Sequence, residues 1–185
     1  MNFIQNIDDY ILVFIQDNII NPVLDSIMPV ITSLGNGGTI WLVIAIILVC
    51  SSKYRKYGIM MLVSLLLCLL VGNLGLKLIV KRLRPCHVNL HVPILIDRPL
   101  DFSFPSGHTM TSFAAATILM YMNKKIGIIG MIGASLIAFS RLYLYVHYPS
   151  DVLVGMIIGI ILSVTVVEIY KRKIQRSNDN LFGVN

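Results

Sequence analysis

Long stretches with almost no charge decide what this chain can become. Residues 57–76 contain no Asp, Glu, Lys or Arg, and neither do residues 106–122. Residues 126–146 hold one such side chain, Arg141, and residues 151–170 hold two, Asp151 and Glu168. A helix needs about 20 apolar residues to cross the bilayer hydrocarbon, where the backbone must satisfy its own hydrogen bonds. The composition agrees: 56% of residues are hydrophobic, 13% are charged and the mean hydropathy is +0.81, too apolar for a soluble domain. The expected fold class is all-α, a polytopic membrane helical bundle. Its 185 residues leave room for one bundle and no separate soluble domain.

Taken in order, residues 3–18 set Phe3, Ile4, Ile7, Ile11, Phe14 and Ile15 on one helical face. That predicts an amphipathic helix at the interface or packed on the bundle. Residues 22–34 predict a short helix interrupted by Pro29. Gly35-Asn36-Gly37-Gly38 predicts a tight turn, with residues 39–50 running back. The span at 57–76 continues without a break through 77–84, and Pro85 stops it. A loop at 86–104 carries an apolar patch, 92–96, that would touch the bilayer surface, and spans at 106–122, 126–146 and 151–170 follow. The sum is about six transmembrane helices plus the amphipathic one. The chain divides into residues 1–56 (amphipathic helix and first helical pair), a core at 57–172 and a tail at 173–185, frayed from Ser177.

The net charge is +6, but the basic residues sit in short clusters between apolar runs, with no basic stripe interleaved with aromatics, so nucleic acid is not an expected partner. Lys53/Arg55/Lys56, Lys124/Lys125 and Lys171/Arg172/Lys173 fall on one side, which the positive-inside rule makes cytoplasmic. Six spans then put both termini in the cytoplasm. Cys50, Cys68 and Cys86 form no CxxC pair, which predicts neither a zinc site nor a disulfide framework. Asp8 and Asp9, with no basic n-region, argue against a cleaved signal peptide. Gly127, Gly130 and Gly133, and the Gly155/Gly159 pair, predict close helix contacts.

The opposite, extracytoplasmic face collects basic and polar residues against the positive-inside tendency, and an anionic substrate explains why. Three clusters meet there. Lys77 and Arg84 lie seven residues apart, hence two turns apart on one side of a helix; for Lys81 and Arg82, snorkelling to the interface is the favoured reading. Pro105-Ser106-Gly107-His108 opens an apolar helix. The free N–H groups and positive dipole end around Ser106 and Gly107 form an anion site, with His108 placed to move a proton. In Ser140-Arg141, His147 and Asp151, the four-residue spacing lets the carboxylate hold one imidazole nitrogen and leave the other nucleophilic. Arg141 is placed to clamp phosphate oxygens. Cys86, His87 and His91 offer an alternative metal-ligating set, weakened by the flanking prolines and the lack of a fourth ligand.

Lys-x6-Arg-Pro at 77–85, Pro-Ser-Gly-His at 105–108 and Ser-Arg-x5-His-x3-Asp at 140–151 resemble the tripartite signature of the type 2 phosphatidic acid phosphatase (PAP2) family, related to vanadium haloperoxidases and glucose-6-phosphatase. The resemblance covers about 57–171 and makes the core catalytic. It implies an integral membrane, metal-independent lipid phosphatase without cofactors, working through a phosphohistidine. His147 would be the nucleophile, oriented by Asp151, and His108 the general acid and base. Lys77, Arg84, Ser106, Gly107 and Arg141 would bind the phosphate.

By family analogy, with the site facing outward in the plasma membrane, the favoured substrate is undecaprenyl diphosphate. Phosphatidylglycerol phosphate, phosphatidate and diacylglycerol diphosphate are the alternatives. An anion transporter or channel would predict polar residues along the spans and inverted repeats, and neither is present. A vanadate-dependent peroxidase shares the site, but the membrane-spanning build argues against it.

Overall fold

The computed structural model describes residues 3–182. The helices are α1 (Phe3–Asn18), α2 (Pro22–Leu34), α3 (Thr39–Cys50), α4 (Arg55–Cys68), α5 (Lys77–Val80), α6 (Pro85–Val88), α7 (Gly107–Met122), α8 (Lys124–Tyr143) and α9 (Pro149–Phe182), with a π-helical stretch, Leu69–Leu76, joining α4 to α5. Helix α7 is the centre, packed on by α4, α8 and α9. Ala114, Ala115 and Ala116 have no exposed surface. At 16 residues, α7 falls short of the roughly 20 that lipid demands, but its neighbours shield it from lipid. The outer surface is apolar, with Ile46, Ile47, Ile129, Ile132, Ile157 and Ile161 exposed, as a bilayer requires.

Lipid tails are as apolar as leucine, so helices associate in a membrane through close packing and polar contacts rather than through exclusion of water. The Gly155/Gly159 pair supplies the packing. A Cβ added at Gly159 would lie 2.3 Å from the Met110 carbonyl oxygen, and one at Gly155 would lie 2.7 Å from that of Ser106. The α9 backbone is thereby pressed on the first turns of α7, and the Ser106 N–H donates to the Asp151 carbonyl at 3.1 Å. Trp41 on α3 adds a polar contact, its indole N–H donating to Ser112 Oγ at 2.8 Å. Of the other glycines, Gly127 abuts the Met120 backbone and Gly130 the Leu119 side chain, while Gly133 faces open space.

Several expectations need correction. The expected hairpin of two spans is one bent element. Gly37 and Gly38 take positive φ, 59° and 70°, conformations that glycine adopts without penalty. They turn the chain by only 44° between Pro22–Leu34 and Asn36–Cys50. Helix α2 packs on α8 and α3 on α4, and Pro29 does not interrupt α2. Among the described residues, three helical stretches are long and apolar enough to cross a membrane, or four if the bent pair is one span, which does not confirm the expected six.

Helix α1 meets the start of α9, where the Ser150 N–H donates to Asp8 Oδ1 at 2.8 Å. The 34 residues of α9 carry the chain about 50 Å away from that contact. The helix beyond Leu76 ends at Val80, where Lys81 turns left-handed (φ 50°), so it never reaches Arg84. The patch at 92–96 packs inward, with Val92, Ile94 and Ile96 against the cluster of Leu12, Tyr143 and Val146. Helix α9 remains helical through Phe182, past the expected fraying point, and residues 183–185 of the tail lie outside the described residues.

Gly159→Val is expected to destabilise the bundle by about 1–3 kcal/mol, the cost of overpacking, measured as a lower thermal midpoint in detergent. Gly133→Ala, where nothing lies within 4 Å of the new Cβ, should stay within about 0.5 kcal/mol of wild type.

Candidate active site

A cavity of about 1120 Å³ carries Lys77, Arg84, Asp101, His108, Arg141 and His147 on its polar wall. Each comes from a different local feature. Lys77 follows the π-helical stretch, a form that recurs at functional sites, and is 6% exposed. Arg84 is extended (φ −75°, ψ 151°), as a residue before proline prefers. Arg141 belongs to the last turn of α8, and His147 to the link before α9. Lys77 and Arg84, expected on one helix, converge instead on the loop residue Asp101. Lys77 pairs with its Oδ2, and Arg84 Nη2 donates to Oδ1 at 2.7 Å. Burial alone would raise the Asp101 carboxyl, but Lys77 and Arg84 outweigh it and hold it at about 2.

His147 is buried, with both ring nitrogens engaged. Arg84 Nη1 lies 2.9 Å from Nε2, and Ser103 Oγ lies 3.3 Å from Nδ1. Burial, followed by the charges of Arg84, Arg141 and Lys77, pushes the imidazole well below its ordinary range. The ring is therefore neutral at pH 7. Asp151, with no exposed surface, was expected to bond this ring directly, yet its Oδ2 lies 3.7 Å from Nδ1, too far for a hydrogen bond. That oxygen accepts from Ser103 Oγ at 2.5 Å and from the Tyr148 N–H at 2.9 Å. Oδ1 accepts from Arg82 Nη1 at 2.7 Å.

Arg82 corrects the snorkelling expectation. Its guanidinium also donates to Asp8, Gln5 and Ser150, each at 2.7 Å, and lies 3.9 Å above the Tyr148 ring. It links α1 to the start of α9. Lys81, by contrast, is exposed.

The remaining predicted residues divide. Arg141 donates to Thr32 Oγ1 at 2.5 Å, and its buried Nε has no partner. Arg141 lines the cavity, and a buried guanidinium there favours an anion. His108 and Gly107 line the cavity. The first helical bond of α7 runs from the Met110 N–H to the Ser106 carbonyl, leaving the amides before it without a helical partner. Ser106 is not on the wall: it is fully buried, and its hydroxyl accepts from Thr109 Oγ1 at 2.9 Å. The alternative metal set is not assembled, since Cys86 is buried while His91 is exposed, and no three such ligand side chains gather among the described residues.

Asn36, Asp101, Ser103, Arg82 and Asp8 were not singled out from the sequence as site residues. Asn36 Oδ1 lies 2.9 Å from His108 Nε2, so the bend between α2 and α3 holds that ring. Only the Pro-Ser-Gly-His motif just downstream hinted at Ser103.

The sequence profile of the PAP2 superfamily matches residues 53–175. An undecaprenyl-diphosphatase of Sulfolobus acidocaldarius is 33% identical over 131 residues, which is 70% of this chain and 63% of that protein. The undecaprenyl-diphosphatase BcrC of Bacillus subtilis is 34% identical, over 77% of this chain and 72% of its own. The crystal structure of a transmembrane PAP2-type phosphatidylglycerolphosphate phosphatase from Bacillus subtilis superposes with a TM-score of 0.77. It is 27% identical and covers 93% of this chain and 88% of its own.

Asp101 fills the seat between Lys77 and Arg84 with a carboxylate, so an entering anion competes with it. Asp101→Asn is expected to strengthen inhibition by inorganic phosphate by about fivefold, the equivalent of about 1 kcal/mol for a half-exposed pair. Because the native carboxyl is depressed, its pairing is complete above the ordinary Asp value near 4 and is lost only as pH falls through about 2. The effect should therefore be constant between pH 5 and 8, as phosphate inhibition curves at several pH values would check.

Proposed function

The chain belongs to the PAP2 superfamily, and from that premise we propose that it is a membrane lipid phosphate and diphosphate phosphatase working through a phosphohistidine at His147. The observation that carries this reading is the cavity itself, where a neutral, doubly held imidazole faces Lys77, Arg84 and Arg141. A phosphate entering between Arg84 and His147 takes the guanidinium N–H from Nε2 and frees its lone pair. Nε2 then forms the N–P bond as the P–O bond to the lipid breaks, and His108 protonates the departing oxygen. Water attacks phosphorus, the N–P electron pair returns to Nε2, and His108 takes the water's proton. The products are inorganic phosphate and a lipid alcohol, or a lipid monophosphate from a diphosphate. The three cations and the Gly107 N–H neutralise the developing charge, so the chemistry asks for no metal. Ser106 acts from behind, fixing the start of α7 against α9.

The favoured substrate is undecaprenyl diphosphate. Support comes from the two relatives named for that activity and from the wall beyond the polar end, where Leu42, Leu62, Leu65, Leu66 and Leu69 form an apolar lining. A lipid tail suits that lining, and an ion pathway does not. Phosphatidylglycerol phosphate is the second reading, favoured by the structural likeness to the Bacillus subtilis enzyme. The site faces outward on this reading, with Lys53, Lys124 and Lys171 inside. Helix α1 then lies on the outer side, opposite the C-terminal tail.

Detergent-purified protein with EDTA present should release phosphate from undecaprenyl diphosphate faster than from phosphatidylglycerol phosphate, phosphatidate or diacylglycerol diphosphate. His147→Ala should abolish release, and Asp151→Asn should lower it strongly. A faster rate on phosphatidylglycerol phosphate would transfer the protein to the second reading. No release from any of the four by folded protein would refute the phosphatase.

A further inference from the structure

The contacts around Asp151 leave a gap that one side chain fills. A carboxylate meant to hold the His147 ring sits 3.7 Å from it, and both its oxygens are already engaged by Arg82, Ser103 and the Tyr148 N–H. Ser103 stands between the two groups. It is fully buried, and its own N–H donates to the Arg82 carbonyl at 2.8 Å, which fixes the residue independently of its side chain. The hydroxyl donates to Asp151 Oδ2 at 2.5 Å, so its one proton is committed there. Its lone pairs are then the part that faces His147 Nδ1 at 3.3 Å. A ring nitrogen meeting a lone pair must carry the proton, so the hydrogen sits on Nδ1. Nε2, 2.9 Å from the obligate donor Arg84 Nη1, is left with the lone pair. The two contacts require the same tautomer.

We propose that Ser103 is a positioning residue of the phosphatase, relaying the Asp151 carboxylate to the nucleophilic imidazole and setting its tautomer. The inference rests on the phosphohistidine reading above. When Nε2 bonds to phosphorus, the ring gains positive charge while keeping its Nδ1 proton. That proton strengthens its bond to Ser103 Oγ, whose own proton strengthens its bond to Asp151. No proton leaves either group. The stabilisation grows in the transition state, where it raises kcat rather than improving binding. Ser103 is absent from the cavity wall, so substrate affinity does not depend on it.

The test is steady-state kinetics on full-length protein in detergent, with undecaprenyl diphosphate as the probe, for wild type, Ser103→Ala, Ser103→Thr, Asp151→Asn, the Ser103→Ala/Asp151→Asn double variant and His147→Ala. Ser103→Ala is expected to lower kcat by about 10–100-fold, the usual effect of removing an orienting partner, with KM unchanged. Ser103→Thr, which keeps the hydroxyl, should recover most of the loss. Because the two residues act in series, the double variant should fall no further than Asp151→Asn alone. Losses that multiply in the double variant would overturn the relay, as would a Ser103→Ala enzyme with wild-type kcat or a raised KM at constant kcat. In each of those cases an inactive His147→Ala would leave the phosphatase reading intact. Wild-type turnover by His147→Ala would overturn both.

Discussion

Burying positive charge among membrane helices is costly unless an anion is at hand, and this protein gathers Lys77, Arg84 and Arg141 about one cavity. The surrounding architecture offsets that cost. Asp101 partners Lys77 and Arg84, backbone carbonyls of Val146 and Asp101 accept from Arg84, and Thr32 accepts from Arg141. The compensation is incomplete, since Arg141 Nε keeps a buried, unpartnered N–H. The three cations are thus held close together about one cavity, which is the arrangement that supports the phosphatase proposal.

A second centre of charge holds the nucleophile's surroundings together. Asp151 and Asp8 share the Arg82 guanidinium, which ties α1, the segment after α5 and the start of α9 into one unit. Desolvated pairs of this kind are weak evidence of net stability but fix geometry, because separating one partner strands a buried charge. Asp101, half exposed, is the anion that can yield to substrate; Asp8 and Asp151, both buried, are not. The two carboxylate systems divide the work: Asp101 neutralises Lys77 and Arg84, and Asp151 anchors Ser103 beside the His147 ring.

What the sequence made legible was whatever repeats locally or stands in a fixed motif. The uncharged runs gave the membrane bundle, and the three motifs gave the residues that meet in the cavity. Gly155 and Gly159 announced a close helix contact, which the structure makes with α7 and which brings Asp151 beside Ser106. What escaped depended on backbone torsions or long-range pairing. Gly35 to Gly38 looks the same in sequence whether it reverses the chain or bends it by 44°. Arg84 seemed to continue a helix because nothing in its neighbours reveals that Lys81 turns left-handed. Arg82 read as a snorkelling cation because its partner Asp8 lies 74 residues away. Ser103 and Asn36 carry no periodic signal, and their importance exists only once the loop and the bend lie against the two histidines. Residues before the three motifs, namely Asp8, Thr32 and Asn36, thus help build a site whose signature begins at Lys77.

The central claim is that His147 takes the phosphoryl group onto its own nitrogen. The most direct measurement is rapid acid-free quenching of the enzyme during turnover of undecaprenyl diphosphate labelled with 32P in the terminal phosphate, followed by mapping of the labelled peptide. The account predicts an acid-labile, alkali-stable label on the peptide containing His147, formed no more slowly than the overall turnover and absent from His147→Ala. Full turnover with no protein-bound label at any quench time, together with an active His147→Ala enzyme, would contradict it.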